Sequence, residues 1–139
     1  MMARLDDKDL EIVRVLKEDA RTSIREISLK TGIKPSTIHQ RIRKLIDDGV
    51  IEKFTLKLNK EYLGEAVTVL VFISTDSVLK GFDYPNIKEV HRISGEYDYL
   101  LKMSFSDLDS FNRFFTEFRK GKVIKRSESI VVTSTIKDG

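Results

Sequence analysis

Two helical segments separated by only two residues constrain this chain more than any other feature of its sequence. Ser23 and Glu26 have the spacing of a capping box, in which each side chain accepts a hydrogen bond from the backbone N–H of the other residue. Gly32 tolerates the left-handed backbone that ends a helix. Pro35 fits the first turn of the next helix because an N–H there would have no helical partner. The pattern predicts a helix of about eight residues, a tight turn and a second helix.

The second segment, 35–47, has one apolar side and one polar side. At 100° per residue, Ile38, Ile42 and Leu45 align toward a core. This arrangement is typical of a helix-turn-helix, whose second helix fits the major groove of DNA, about 12 Å wide. Arginine can bind guanine and glutamine can bind adenine through paired hydrogen bonds. The polar residues that we predict to contact DNA are Lys34, Ser36, Thr37, His39, Gln40, Arg43 and Lys44.

The distribution of charge agrees with this prediction. Residues 1–60 hold 14 basic and 10 acidic residues, whereas residues 61–139 hold 11 and 12. No acidic residue occurs between Ile27 and Ile46, although five basic residues do. Contacts with phosphates supply much of the free energy of DNA binding, so this window favours a double-stranded DNA partner. An ordinary amphipathic helix with a solvated polar face is the alternative, and the capped helix and short spacer before it argue against that alternative.

The elements on either side complete a small domain. Asp6 has the character of an N-cap, and the apolar periodicity after it predicts a first helix that ends near Glu18. Apolar and polar residues alternate over 50–58, which predicts a strand or a small hairpin that forms a wing beside the recognition helix. Lys53 and Lys57 in this segment contact flanking phosphates or lie on a solvated edge. We therefore predict a winged helix-turn-helix domain over 1–60.

Residues 61–139 carry strand and helix signals in the order β-α-β-β-α-β, which is the ferredoxin-like arrangement. The first strand, 66–73, is apolar on both faces, so it needs helices on one face and a further cover, such as a second subunit, on the other. A phenylalanine stripe at helical spacing follows Asp107 and indicates a core helix. The remaining predicted elements are a short helix between Ser77 and Pro85 and strands at 87–93, 99–105 and 123–136. The predicted fold class is α+β.

Several classes of function lack support in the sequence. The chain has no cysteine, which excludes disulfides and thiolate metal sites. It also shows no His pair at metal spacing, no glycine-rich phosphate loop and no Ser/His/Asp set, so we predict neither catalysis nor a cofactor. The N-terminal residues lack the apolar segment of a signal peptide, and the longest apolar run, Val69 to Ile73, is too short to span a bilayer. We expect a cytoplasmic protein without membrane contact.

Several short motifs along the chain resemble those of the Lrp/AsnC family, the leucine-responsive and asparagine-responsive regulators of bacteria and archaea. They occur in order and at near-family spacing over essentially the whole chain. They are Leu5-Asp6, Arg25-Glu26-Ile27-Ser28, the stretch 36–45 with Gly49-Val50-Ile51 after it, Leu63-Gly64, Gly95-Glu96-Tyr97-Asp98 and Ser127-Glu128-Ser129-Ile130-Val131.

The resemblance implies a transcription regulator that binds pseudo-palindromic operators. It implies a homodimer formed through the sheets of an effector-binding and oligomerisation domain, 61–139, and the family often assembles further into tetramers or octamers. It also implies a small-molecule effector, usually an amino acid. By position, the effector-binding candidates are Gly95, Tyr97, Asp98, Thr116, Ser127 and Ser129.

The segment before Pro85 and the residue Thr116 refine what the resemblance implies for the second half, and alternatives remain for Tyr97 and Asp98 and for the function. The segment from Ser74 to Pro85 is shorter than in the family, so its helix is stunted or replaced by a turn. The resemblance implies that relatives with a basic amino-acid effector have an acid at the position of Thr116, and threonine cannot supply that charge, which argues against a lysine or arginine effector. Tyr97 and Asp98 also suit a plain β-turn. The alternative to a DNA-binding regulator is an amino-acid-sensing or interaction module whose DNA binding is weak.

Overall fold

The computed structural model describes residues 4–139, so residues 1–3, which entered the argument about a signal peptide, lie outside the described residues. The chain divides into two compact units, Met1–Lys57 and Leu58–Gly139. Among the residues described, none of the helices combines the length and the apolar character needed to cross a membrane.

The first unit is a three-helix domain, and its helices begin and end where the sequence predicts. The helices are α1 (Asp7–Glu18), α2 (Ile24–Thr31) and α3 (Pro35–Asp47). Each contributes one completely buried isoleucine, namely Ile12, Ile27 and Ile38. The turn between α2 and α3 adds Ile33 to the same core. Burial of these apolar side chains fixes which side of α3 faces outward.

The ends of the helices follow the local signals. Asp6 caps α1 by accepting a hydrogen bond from the backbone N–H of Asp9 at 2.9 Å, and the Asp9 carboxylate accepts one from the N–H of Asp6 at 3.2 Å. The Ser23 hydroxyl accepts from the N–H of Glu26 at 3.1 Å, so one half of the predicted capping box forms. Gly32 ends α2 with φ +74°, a left-handed conformation in which a side chain would be strained.

Neither the strand nor the small hairpin predicted for 50–58 forms. The N–H groups of Val50 and Ile51 donate to the Leu45 carbonyl and close α3, and no regular element follows before residue 60. Phe54 and Leu56 are 53% and 75% exposed. The side-chain alternation of a strand is present, but a strand also needs a neighbouring strand for its backbone hydrogen bonds, and none of the four strands described within residues 4–139 pairs with this segment.

The second unit is an α+β domain with one sheet and one long helix. A 3₁₀ turn at Lys60–Leu63 leads into it. The elements are β1 (Val67–Ser74), β2 (Ile87–Arg92), β3 (Tyr99–Phe105), α4 (Leu108–Arg119) and β4 (Arg126–Val131). The four strands are antiparallel in the order β2-β3-β1-β4, as the ferredoxin-like prediction requires.

The core of this unit lies between the sheet and α4. Val69, Val71 and Ile73 of β1 are completely buried on the side of α4. The phenylalanines of α4, chiefly Phe111, Phe115 and Phe118, pack onto them. The alternate residues of β1 point to the opposite face, as the period of two in a strand requires. Ser104 on β3 is also fully buried, and its hydroxyl has no hydrogen-bond partner among the described residues.

No helix forms between β1 and β2, so the predicted short helix between Ser77 and Pro85 is wrong and the shorter alternative, a turn, is confirmed. Leu79 is 6% exposed and packs into the core with Phe82, so a compact loop fills the space. The Leu79 N–H donates to the Tyr99 hydroxyl at 3.3 Å, which anchors the loop.

β4 is shorter than the predicted strand at 123–136. Its pairing partner, β1, offers only eight residues, and the ladder ends where β1 ends. Single backbone hydrogen bonds, from Lys125 to Ser74 at 2.8 Å and from Val132 to Thr68 at 2.9 Å, extend the contact at either end.

Candidate nucleic-acid interface and effector site

The outer face of α3 presents the residues that the sequence selects for DNA contact. Ile38 and Leu45 are 0% and 3% exposed, so they hold the opposite face of α3 against the three-helix core. Six of the seven predicted contact residues are exposed, and Thr37 is half-buried at the edge. The exposed ones are Lys34, Ser36, His39, Gln40, Arg43 and Lys44. They are therefore accessible to a groove that approaches from outside this unit.

The cations on this face have no acidic partner of their own. Within residues 4–139, no carboxylate lies at ion-pair distance from Lys34, Arg43 or Lys44. An unpaired exposed cation keeps its full charge for a phosphate, and an unpaired arginine keeps its two parallel N–H donors for a base edge.

Arg41 behaves differently from these cations, although the sequence places it in the same acid-free window. Its guanidinium forms ion pairs with Asp6 and with Asp9, the latter at 3.3 Å. The hydrogen bond from Arg41 lowers the pKa of Asp6 to about 2, and the same bond raises the pKa of Arg41. The pair ties the middle of α3 to the first turn of α1. Sequence reasoning missed it because 35 residues separate the partners.

Tyr97 lies in a contact network beside β4. Its hydroxyl donates to the Glu128 carboxylate at 3.0 Å, and this bond raises the pKa of Tyr97. The Tyr97 ring contacts the Phe72 ring at 5.5 Å between centroids, and the Arg126 guanidinium lies 4.9 Å from the centre of the Tyr97 ring. Arg126 also lies 3.9 Å from the Glu96 carboxylate. The polar end of Tyr97 is therefore already bonded within the unit.

Asp98 and Gly95 shape the loop between β2 and β3. One Asp98 carboxylate oxygen accepts from the N–H of Thr75 at 2.8 Å, and the Asp98 N–H donates to the Ile73 carbonyl at 2.8 Å. Gly95 has φ +124°, which a side chain would strain, and no neighbouring atom lies within 4 Å of its missing Cβ position. Asp98 thus has the structural role of a loop anchor, with its second carboxylate oxygen still able to accept a hydrogen bond.

The other three effector candidates lie on the α4 side of the sheet. Ser127 and Ser129 pair with Ile73 and Val71, so they share the face of those buried side chains. Thr116 on α4 is exposed, and its hydroxyl donates to the Asn112 carbonyl at 2.8 Å. Tyr97, in contrast, contacts Phe72 and Glu128, whose side chains point to the opposite face. Thr116, Ser127 and Ser129 therefore lie on the α4 side of the sheet and Tyr97 on the other side, so the six candidates do not share one surface.

The structure adds Arg119 to this group. Its guanidinium donates to the Ser127 hydroxyl at 3.2 Å and lies 5.5 Å from the centre of the Phe115 ring. A cation in the last turn of a helix commonly interacts with the helix dipole. The sequence alone therefore gave no reason to assign Arg119 a role in ligand binding. No group of three or more His, Asp or Glu side chains with the arrangement of a metal site occurs in the part of the chain that the structure describes.

Both halves of the chain match known protein families. Residues 5–52 match the family described as winged helix-turn-helix DNA-binding, and residues 80–139 match the Lrp/AsnC ligand binding domain. With the exposed face of α3, these matches define a DNA-binding transcription regulator that carries a ligand-binding domain. The chain is similar to the HTH-type transcriptional regulator FL11 of Pyrococcus furiosus. The two are 32% identical over an alignment of 144 positions, which covers 99% of this chain and 95% of that relative. The chain belongs to the Lrp/AsnC family of transcription regulators.

Solved structures with the same fold agree. An AsnC family transcriptional regulator from Agrobacterium tumefaciens superposes with a TM-score of 0.88 at 27% identity, over 96% of this chain and 94% of that one. LrpC of Bacillus subtilis gives a TM-score of 0.82 at 28% identity, over 99% of this chain and 100% of that one. The predicted fold class, a winged helix-turn-helix followed by an α+β sheet domain, is confirmed by the family match and these structures, although the wing segment 50–58 forms no strand here.

Proposed function

We propose that α3 enters the major groove of a specific operator and that Arg43 and Gln40 read base edges there. The observation that carries this proposal is the combination of a buried apolar face with an outer face whose cations lack acidic partners. Ser36, Thr37 and His39 lie beside the reading residues, and Lys34 and Lys44 are positioned for phosphates. A regulator that recognises a palindrome needs two such helices, so the acting species is a dimer.

The salt dependence of binding tests the phosphate part of this proposal. If each protomer of a dimer neutralises about three to four phosphates, log K falls with log salt at a slope of roughly −5 to −7. A slope near zero would contradict an interface built on these cations.

The base-reading part is tested by selecting bound duplexes from a random pool and then replacing Arg43. We expect Arg43→Ala to cost about 1–3 kcal/mol at the base pair that Arg43 reads and to relax the preference there. Arg14→Ala is the matched control, because Arg14 is an exposed arginine on α1 of the same unit. Equal weakening on every sequence would make Arg43 a phosphate contact instead of a base reader.

We assign the dimer contact to the sheet face opposite α4. Leu70 and Phe72 are half-buried there, and Ile130, which pairs with Leu70, is 44% exposed. An apolar sheet face in a unit this small gains stability from a second copy. Light scattering on the full chain tests this: a dimer has about twice the chain mass of 16.1 kDa, and tetramers or octamers appear as multiples of it.

We further propose an amino acid as effector, bound around Gly95, Tyr97, Asp98, Thr116, Ser127 and Ser129. The match to a ligand-binding domain over 80–139 supports it, and so do the hydroxyl groups of Ser127 and Ser129 on β4 and of Tyr97 beside it. A regulator of this kind acts where the chromosome lies, which favours the cytoplasm. Thermal shift with each of the twenty amino acids, together with a gel shift on the selected operator, tests it. Loss of all ligand responses with intact operator binding would leave a constitutive regulator.

A further inference from the structure

The Arg119 side chain at the end of α4 is held in place by neutral groups. The Ser127 hydroxyl accepts one of its hydrogen bonds at 3.2 Å, and the Phe115 ring lies under its guanidinium with 5.5 Å to the ring centre. A guanidinium has five N–H donors, so at least four remain available for other acceptors. Hydroxyl and ring fix the orientation of the group without cancelling its charge.

Acidic residues on the neighbouring strand, loop and helix are engaged elsewhere. Glu128 accepts the hydrogen bond of Tyr97, and Glu96 lies beside Arg126. Glu117, two residues before Arg119, forms an ion pair with Lys120 at 2.7 Å. In residues 4–139 no carboxylate lies at ion-pair distance from Arg119.

Arg119 therefore brings an uncompensated positive charge to a group of neutral candidate ligands. Thr116 lies one turn before it on α4, and Ser127 and Ser129 lie on the adjacent strand, on the face turned to α4. None of these three side chains can neutralise an anionic group, although the Ser127 and Ser129 hydroxyls can each donate a hydrogen bond to one. A planar guanidinium binds a carboxylate through two parallel N–H···O bonds, which neither serine nor threonine can do.

We propose that Arg119 binds a carboxylate of the effector and is the main source of affinity for that group. This inference rests on the proposed function, since it takes the region around Ser127 as the effector site. The register places Tyr99, not Asp98, across β1 from Ser127, so this part of the site consists of Arg119 and the Ser127 and Ser129 hydroxyls. The arrangement suits an amino acid and disfavours a ligand without a carboxylate.

The experiment uses the full chain and measures dissociation constants by calorimetry for each of the twenty L-amino acids. For the amino acid that binds best, the α-amide is measured beside it. Arg119→Gln keeps N–H donors but removes the charge, and Arg119→Lys keeps the charge but removes the fork. Arg113→Gln is the matched control, because Arg113 is an exposed arginine on the same helix whose bond goes to Ser110 at 3.3 Å.

We expect Arg119→Gln to raise the dissociation constant roughly 10- to 100-fold, the usual effect of losing a charge-assisted pair, with Arg119→Lys in between. Arg113→Gln stays within about twofold of the unaltered chain. The α-amide also binds weakly to the unaltered chain, and Arg119→Gln weakens it no further, because the two changes remove the same contact. If aspartate or glutamate binds best and its α-amide retains affinity, the side-chain carboxylate is the partner of Arg119.

Two results overturn the inference in distinguishable ways. Binding of an amino acid to Arg119→Gln within about twofold of the unaltered chain removes Arg119 from the site and leaves the effector proposal standing. Absence of binding by all twenty amino acids to the unaltered chain removes the effector proposal and this inference together, while operator binding is judged separately. Thermal unfolding without ligand checks that each variant is folded, which the exposed position of Arg119 favours.

Discussion

Replacing Ile38 by alanine tests whether the core of the first unit sets the position of the recognition helix. Ile38 is completely buried against Ile12, Ile27 and Ile33. The substitution removes three buried carbons, which at about 0.8 kcal/mol each account for roughly 2.5 kcal/mol of unfolding free energy. The cavity left behind raises the expected loss to about 3–4 kcal/mol.

That loss is large for a unit of this size. At about 0.05–0.15 kcal/mol per residue, a unit that ends at Lys57 has a total stability of only about 3–9 kcal/mol. Ile38→Ala should therefore unfold the first unit under mild conditions and abolish operator binding with it. The sheet domain has a separate core, so its urea transition should persist.

The assay is urea unfolding of the full chain, followed by far-ultraviolet circular dichroism and by gel shift on the selected operator. Leu29→Ala is the control, because Leu29 lies on α2 with 79% of its surface exposed and should cost less than about 0.5 kcal/mol. If Ile38→Ala and Leu29→Ala unfold at the same urea concentration, the packing described for α3 is wrong.

Two further predictions concern single polar groups. Arg41 lowers the pKa of Asp6 to about 2. The ion pair therefore stabilises the first unit above about pH 4, and this stabilisation is lost as the pH falls toward 2. The stability difference between the unaltered chain and Asp6→Asn should therefore shrink over that range, and an unchanged difference in acid unfolding curves would contradict the ion pair. Ser104→Ala removes a buried hydroxyl without a partner, so we expect the unfolding free energy of the second unit to rise by about 1 kcal/mol, and a fall in urea unfolding would argue against this reading.

Local signals explain why so much of the fold is predictable from this sequence. The caps at Asp6 and Ser23 and the turn at Gly32 act within a few residues, and all three helices of the first unit follow from them. The phenylalanine spacing after Asp107 likewise specifies α4 and its buried face. Each of these features depends on residues that are neighbours in the chain, so a sequence read in short windows contains them.

The features that the sequence did not reveal depend on partners far along the chain. Whether 50–58 forms a strand depends on a second strand that no local pattern supplies. Whether residues after Ser77 form a helix depends on how much space the sheet and α4 leave for Leu79. In the sequence, Arg41 and Arg119 look like ordinary surface cations. Only in the folded chain does Asp6 lie beside Arg41 and Ser127 beside Arg119.

The tie between α1 and α3 means that the basic residues of the recognition helix will not lose function in the same manner when replaced one at a time. Replacing Arg43 by alanine removes only a contact with operator DNA, so the variant should have the same unfolding free energy as the unaltered chain. Replacing Arg41 by alanine breaks the ion pairs with Asp6 and Asp9 at the start of α1, and so weakens the attachment of α3, the helix that carries Arg43. Both variants would bind operator DNA more weakly, so an affinity measurement alone would classify both arginines as operator contacts. A thermal unfolding curve distinguishes them, because only the loss of Arg41 should lower the stability of the first unit.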